Sequence, residues 1–316
     1  MIFLVTSHLK ITVLAGGTGS VKLIRGLAVL EKDMTVISNV GDNIWINGLY
    51  VCPDIDTIVY GLADLLDDKR GWGIRNDSFQ CLDQLQKIDV PTWFRLGDRD
   101  LSTHLLRTSM IREGKTLSEI TDYFRDRYSI AARIIPATDK ELTTRIVTDK
   151  MGELHLQEFW VKYKGRPRVS DVRYNYRSGA AASRAVIDSL NQSQLILIAP
   201  ANPVSSIGPI VALSDIRKAL VRNRQKVIAI SPLIKGKAIT GPAIKYMRAI
   251  GLESSSVGVA KYYLEFVSKF VISNEDRSLE QEIGKLGMEV YETNTKMKTK
   301  RDAVRLASYL LKLVKR

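Results

Sequence analysis

The sequence predicts an α/β protein built on an open, doubly wound parallel sheet, with an inserted middle segment that carries a β-hairpin. Three observations predict it. Short, continuously apolar runs recur along the chain, each closing on small or polar residues. Amphipathic helical patterns separate the runs. Between about residues 90 and 175 this rhythm gives way to apolar–polar alternation.

The clearest runs are Ile11-Thr12-Val13-Leu14-Ala15, Met34-Thr35-Val36-Ile37, Leu195-Ile196-Leu197-Ile198-Ala199, Val227-Ile228-Ala229-Ile230 and Phe270-Val271-Ile272. They are too short for independent helices, and unbroken apolarity suits parallel strands covered on both faces. Ser20 to Leu30 places Val21, Ile24, Leu27 and Ala28 on one helical face, and Asp56 to Leu66 does the same with Ile58, Val59, Leu62 and Leu65. Thr116-Leu117-Ser118-Glu119 has the form of a capping box opening a helix with Leu117, Ile120 and Phe124 inward. Residues 179–190 and 208–220 fit further helices. In the middle span, Arg145 to Thr148 and His155 to Val161 are predicted as an antiparallel hairpin turning at Lys150 to Glu153, within an insertion or cap over residues 90–175.

The chain has 316 residues, 45% hydrophobic and 26% charged, so one domain over residues 1–316 can bury a core without staples. Its two cysteines, Cys52 and Cys81, imply no disulfide framework. The N-terminal run Ile2-Phe3-Leu4-Val5 lacks a basic flank, and no stretch reaches the roughly 18 apolar residues of a membrane span. A cytoplasmic protein without membrane partners is expected. The formal charge of +13 attracts anions. Much of it lies in Lys296, Lys298, Lys300, Arg301, Arg305, Lys312, Lys315 and Arg316, among Leu306, Tyr309, Leu310, Leu313 and Val314 at helical spacing. An amphipathic closing helix with a solvated basic face explains this better than a nucleic-acid patch.

Open α/β sheets bind ligands beyond the C-terminal ends of their strands. The residues just after the runs therefore belong together. They are Gly16-Gly17-Thr18-Gly19-Ser20, Ser38-Asn39-Val40-Gly41-Asp42-Asn43, Ala201-Asn202-Pro203-Val204-Ser205-Ser206, Ser231-Pro232 and Ser273-Asn274-Glu275-Asp276. Such a rim suits phosphate, hydroxyl and divalent-cation contacts. The glycine turn exposes backbone N–H groups at a helix start, and Lys22, expected in the first turn of that helix, can add charge for a phosphate. It is no Walker A motif, and Lys22 stands where a dinucleotide fingerprint has its third glycine.

Asp42, Asp54 and Asp56 form an acidic cluster. Asp54 can cap the helix it opens. Together the carboxylates can hold a hydrated Mg²⁺ beside phosphates, or accept the proton of an attacking hydroxyl. Arg95, Asp98, Arg99, Asp100 and His104 make a third cluster, which also fits a salt-bridged helix entry with a solvated histidine. His8 and His155 lack ligand-spaced neighbours, which argues against zinc. A loop from Ser231 to Lys237, followed by Thr240-Gly241-Pro242, fits an anion.

These segments, in this order and spacing, resemble the 2-phospho-L-lactate transferase (CofD) family. The matching pieces are Gly16 to Gly19 with Lys22; Asn39-Val40-Gly41-Asp42; Pro53-Asp54-Ile55-Asp56-Thr57; Leu96 to Asp100 with His104; Asn202-Pro203 with Ser206 to Pro209; Ser231-Pro232; and Gly241-Pro242-Ala243 with Lys245. The resemblance implies a Rossmann-like fold and a Mg²⁺-dependent transfer of a phospholactyl (or phosphoenolpyruvyl) unit. The donor would be a guanosine-diphosphate-linked acid, the acceptor the ribityl hydroxyl of the deazaflavin FO, and the by-product GMP. It implies substrate contacts at Asp56 and Arg95, guanosine diphosphate on the glycine turn and on Asn202, Ser205 and Ser206, and a homodimer. Asp42 and Asp54 are the expected metal ligands, Asp56 the expected catalytic residue and His104 a further substrate contact. Asp56→Asn is expected to stop turnover and spare the fold. The family often has an acid where Asn43 stands and a serine where Cys52 stands. A nucleotide-sugar-binding regulator of related fold is the alternative; its relatives carry a Gly/Ser-rich stretch where Asn43-Ile44-Trp45-Ile46 stands.

Overall fold

The computed structural model describes residues 9–176, 179–238 and 241–315. The run Ile2 to Val5, His8, Thr240 and Arg316 lie outside the described residues. Seven parallel strands form the main sheet: β1 Ile11–Ala15, β2 Met34–Ser38, β3 Arg133–Pro136, β4 Leu195–Ile198, β5 Val227–Ile230, β6 Lys269–Ser273 and β7 Glu289–Thr293. Their order is β7-β6-β5-β4-β1-β2-β3, the doubly wound arrangement with one strand added. All five predicted runs are strands of this sheet. In β1, β4 and β5 every residue is buried. Side chains on a strand alternate between faces, so both faces of the sheet are covered.

The edge strands β3 and β7 escaped the sequence reading because their side chains are unevenly covered. Glu289 is exposed and the rest of β7 half-buried, and β3 starts at the exposed Arg133. As β3 pairs with β2 in register Thr35↔Arg133 to Ser38↔Pro136, the span 90–175 is not all insertion: it supplies one edge of the main sheet.

What remains of that span includes a three-stranded antiparallel sheet of Gly152–His155, Leu142–Thr148 and Val169–Tyr176. The hairpin exists, but Arg145 pairs with His155 and Thr148 with Gly152, so the turn lies at residues 149–151. Glu158–Lys162 is a π-helical turn rather than a strand. Leu156 and Phe159 are buried while Trp160 is exposed, a spacing of three that belongs to a helical turn. A second hairpin, Ile44–Ile46 with Leu49–Val51, turns on Asn47 and Gly48, both at positive φ (48° and 78°). Asn-Gly between apolar triplets is a strong hairpin signal, and it stands in the sequence.

The first helix, α1, spans Gly17–Leu30 and starts directly on the glycine turn, three residues before the expected Ser20. The second, α2, is Pro53–Leu62 with proline at its first turn. The Thr116 capping box opens Leu117–Arg127 as predicted. The closing helix Lys300–Lys312 buries Ala303, Leu306, Ala307 and Leu310. It lies so close to α1 that a Cβ on Gly26 would stand 2.5 Å from the backbone of Ala303. Among the described residues no helix is long and apolar enough to cross a membrane.

Because backbone cannot yield as a side chain tip does, Gly26→Val is expected to lower unfolding free energy by about 1–3 kcal/mol. Gly284→Ala, where a Cβ meets nothing within 4 Å, is expected to stay within about 0.5 kcal/mol of the parent. Urea denaturation of both variants checks this; equal effects would refute the close packing.

Candidate active site

From β1 the chain proceeds outward to β2 and β3, and from β4 it proceeds the other way. The crevice between the C-terminal ends of β1 and β4 is therefore the switch point at which ligands bind. Gly16 to Gly19 follow β1, and Asn202 to Ser206 follow β4. They meet there without side chains between them. A Cβ on Gly16 would stand 2.3 Å from Ser206 Cβ, and one on Gly17 would stand 2.5 Å from Asp54 Oδ1. Ser20 Oγ accepts the Gly16 N–H at 3.1 Å, and Thr18 Oγ1 donates to the Gly71 carbonyl at 2.9 Å.

Two lobes of one cleft share Gly17, Thr18, Asp42, Asp54, Trp72, Gln157 and Trp160. The polar lobe, about 370 Å³, adds Gly19, Arg70, Asn202, Ser205, Ser206 and Tyr246. The aromatic lobe, about 480 Å³, adds Trp93, Phe94, Arg95, Asp56, Asp100 and His104. Glycine turn, acidic cluster, Arg95, His104 and the Asn202 loop thus share one cleft, as the sequence led us to expect.

At the junction Asn39 Nδ2 donates to Asp42 Oδ1 and to Asp54 Oδ2, each at 2.8 Å. Gln157 Nε2 donates to Asp42 Oδ2 at 3.3 Å. Asp54 also accepts the Gly17 N–H, so it serves the start of α1 rather than capping α2, whose cap position is Cys52 and makes no side-chain cap bond. Burial raises the Asp54 carboxyl to about 6 despite these bonds. Burial, then the nearby Asp54, pushes Asp42 well above the carboxylate range. Two desolvated, like-charged carboxylates invite an opposite charge. Among the described residues no three His, Cys, Asp or Glu gather closely enough to hold a metal unaided. The pair fits Mg²⁺, which keeps several waters and takes its remaining oxygens from phosphate.

Asp56 faces the aromatic lobe but is not free. Both its oxygens accept from the fully buried Arg107, Nη1 at 3.1 Å to Oδ2 and Nη2 to Oδ1. Burial alone would lower the Arg107 guanidinium; Asp56 and Cys52 instead hold it above its ordinary value. His104 is buried, not solvated, with Nδ1 3.7 Å from Asp56 and Nε2 3.2 Å from Asp100. Tyr60 donates to Asp100 at 2.7 Å. Burial notwithstanding, bonding to His104 keeps the Asp100 carboxyl below its usual value. The helix Asp100–Arg112 is inside out: it buries Asp100, Thr103, His104, Arg107 and Thr108 while Leu105 is 58% exposed. That polar face, at spacings of three and one, was present in the sequence; Arg107 was missed because only its neighbours had been weighed.

Other expectations need correction. Lys22 does not line the cleft. With α1 starting at Gly17 it lies in the second turn, and its Nζ donates to the Met297 carbonyl at 3.2 Å. The Ser231 loop is a small hairpin, Leu233–Ile234 with Lys237–Ala238; Lys235 pairs with Glu275 at 3.4 Å, and neither Lys235 nor Lys237 lines the polar lobe, although Gly241 and Pro242 after them do. Asp98 accepts from Ser78 and from the N–H groups of Gln80 and Cys81, a structural cap. Arg95 is exposed, stacked over Phe79 at 4.5 Å, beside the aromatic lobe. The sequence reading also missed Arg70, Trp72, Gln157, Trp160 and Tyr246, which reach the cleft from the loop after α2, from the π-turn and its start, and from the helix Ala243–Ala249.

Since Asp56 is the partner of a buried arginine, Asp56→Asn is now expected to cost stability as well as turnover. Arg107→Met, which leaves a buried carboxylate unpaired, is expected to cost about 3–5 kcal/mol. The double variant should lose clearly less than the sum of the two, by denaturant titration; full additivity would deny the pair. His155 offers a pH test. Its Nε2 faces the Asn43 carbonyl at 3.1 Å and its Nδ1 accepts from Gln157 N–H at 3.0 Å, so only the neutral ring fits. Burial depresses it to about 4 from an ordinary 6.5. Its contribution to stability is therefore complete above pH 6.5 and is lost as pH falls towards 4. Melting curves should show wild type losing more than His155→Gln over that window.

The same chain has recognisable relatives. A family model described as 2-phospho-L-lactate transferase CofD matches residues 11–313. The 2-phospho-L-lactate transferase of Methanopyrus kandleri is 42% identical over 97% of this chain and 98% of its own. Those of Methanosarcina acetivorans (95% and 98%) and Methanocaldococcus jannaschii (95% and 97%) are 37% and 38% identical. A Bacillus halodurans protein of the UPF0052 family superposes with TM-score 0.66 at 13% identity, covering 97% of this chain and 99% of its own; this shows a shared fold. The chain belongs to the 2-phospho-L-lactate transferase (CofD) family and is a transferase with a Rossmann-like fold.

Proposed function

We propose that the chain moves a 2-phospholactyl (or phosphoenolpyruvyl) group from a guanosine-diphosphate-linked donor to a hydroxyl of the deazaflavin FO, releasing GMP. The observation that carries this reading is the two-lobed cleft, a phosphate-type wall joined to an aromatic one at Asp42 and Asp54. The relatives' name favours the lactyl donor. The same reading has it act as a cytoplasmic homodimer without nucleic-acid partners.

The backbone of Gly16, Gly17, Thr18 and Gly19, with Asn202, Ser205 and Ser206, would hold the guanosine diphosphate part. Trp72, Trp93, Phe94 and Trp160 offer flat faces for a planar acceptor, with Arg95 beside them. The acceptor oxygen attacks the phosphorus that bears the acid, a new P–O bond forms, and the bond to the GMP phosphate breaks; the hydroxyl proton is released. Mg²⁺ held by Asp42 and Asp54 would neutralise the diphosphate charge. Asp56, its oxygens already engaged by Arg107, suits orienting the hydroxyl, and His104, whose Nδ1 accepts from Arg107 Nη1 at 3.1 Å, helps hold that guanidinium. Positioning and charge neutralisation contribute most of the rate in such transfers.

Incubation with FO, each candidate donor and Mg²⁺, followed by mass spectrometry, tests the reading. GMP and an FO adduct heavier by the phosphorylated acid are expected, and chelation should remove both. Asp56→Asn is expected to lower turnover about 10²-fold or more. No adduct with any donor would refute the function; wild-type turnover in Asp56→Asn would remove Asp56 from it.

A further inference from the structure

We infer that the Tyr246 hydroxyl and the Asn202 side-chain amide form a two-donor subsite for an anionic oxygen of the ligand's diphosphate. The inference rests on the proposed function and locates the phosphates within the cleft. Tyr246 Oη and Asn202 Nδ2 are both buried without a hydrogen-bond partner among the described residues. Both residues line the polar lobe. A buried donor left unmade is costly, so such groups mark where a partner is missing.

Each donor is held in place by the rest of its side chain. Asn202 Oδ1 accepts from Val204 N–H at 3.0 Å and Ser205 N–H at 3.2 Å, which fixes the amide with its nitrogen as the free end. The Tyr246 ring is fully buried, 5.8 Å from Phe159 between centroids. The same lobe is lined by the N-terminal turn of α1 and by Arg70. These donors and the one cation match phosphate, which only accepts, and the Asp42 and Asp54 carboxylates that also line the lobe call for a cation beside it.

Calorimetric binding of GDP with Mg²⁺ tests the subsite, with guanosine and with inorganic diphosphate plus Mg²⁺ as separate probes. Tyr246→Phe removes only the unpartnered hydroxyl. It is expected to weaken GDP and diphosphate about ten- to a hundredfold, to leave guanosine unchanged and not to lower the melting temperature. Asn202→Asp keeps an oxygen to accept from Val204 and Ser205 but turns the donor into an anion, and should weaken both phosphate probes further. Unchanged GDP affinity in Tyr246→Phe, equal loss of guanosine and GDP, or a wild type that binds neither phosphate probe would overturn the inference. Loss of diphosphate binding in Tyr246→Phe supports it even if the wild type transfers nothing to FO, a result that would sink only the functional reading.

Discussion

The active cleft depends on two positions that carry no side chain. Gly16 and Gly17 stand where β1 gives way to α1, and Ser206 and Asp54 occupy the space that a Cβ there would need. Through that contact the loop after β4 and the start of α2 close on the first helix. Ser20 and Asp54 take the Gly16 and Gly17 N–H groups, and the rest of the first turn of α1, Thr18 and Gly19, lines the crevice, where a partial positive charge at a helix start favours an anion. Any side chain at Gly16 would push the loop after β4 away from the start of α1 at the point where the ligand must bridge them.

Charge is arranged around this contact in two opposed ways. Asp56 and Arg107 are buried together, and their mutual bonds offset both charges. Asp42 and Asp54 are brought together with only neutral donors beside them, the amides of Asn39 and Gln157 and the Gly17 N–H. The first arrangement is complete within the chain and acts as framework. The second is electrostatically unfinished, and burial makes the deficit larger. A carboxylate pair of this kind beside a helix N-terminus is suited to a cation and a phosphate arriving together, since each offsets the charge of the other.

Much of this was legible in one dimension. The five central strands announce themselves because strands covered on both faces need apolar residues at every position. The glycine turn, the aspartates and the Asn202 loop were legible because each comes directly after such a strand, and a parallel sheet gathers the loops leaving its strands along one C-terminal edge. The edge strands Arg133–Pro136 and Glu289–Thr293 were not, since partial exposure dilutes the pattern. Glu158–Lys162 misled because Gln157 and Trp160 alternate with Leu156 and Phe159 only over a few residues, too short to tell period two from period three. Asn47-Gly48 and the buried polar face of Asp100–Arg112 were readable signals that went unread.

The sequence by itself determined the sheet's central strands, the identity of the residues at its rim and the family to which the chain belongs. These come from local periodicity and from motif order, which need no knowledge of distance. Only the tertiary structure decided that Lys22 turns to Met297 and that Arg107 takes both oxygens of Asp56. It also decided that Tyr246 and Asn202 keep unpartnered donors in the same lobe. Those outcomes depend on which surfaces meet across tens or hundreds of residues. Burial then sets the energy of each polar group by the partner it finds, a quantity that no spacing along the chain records.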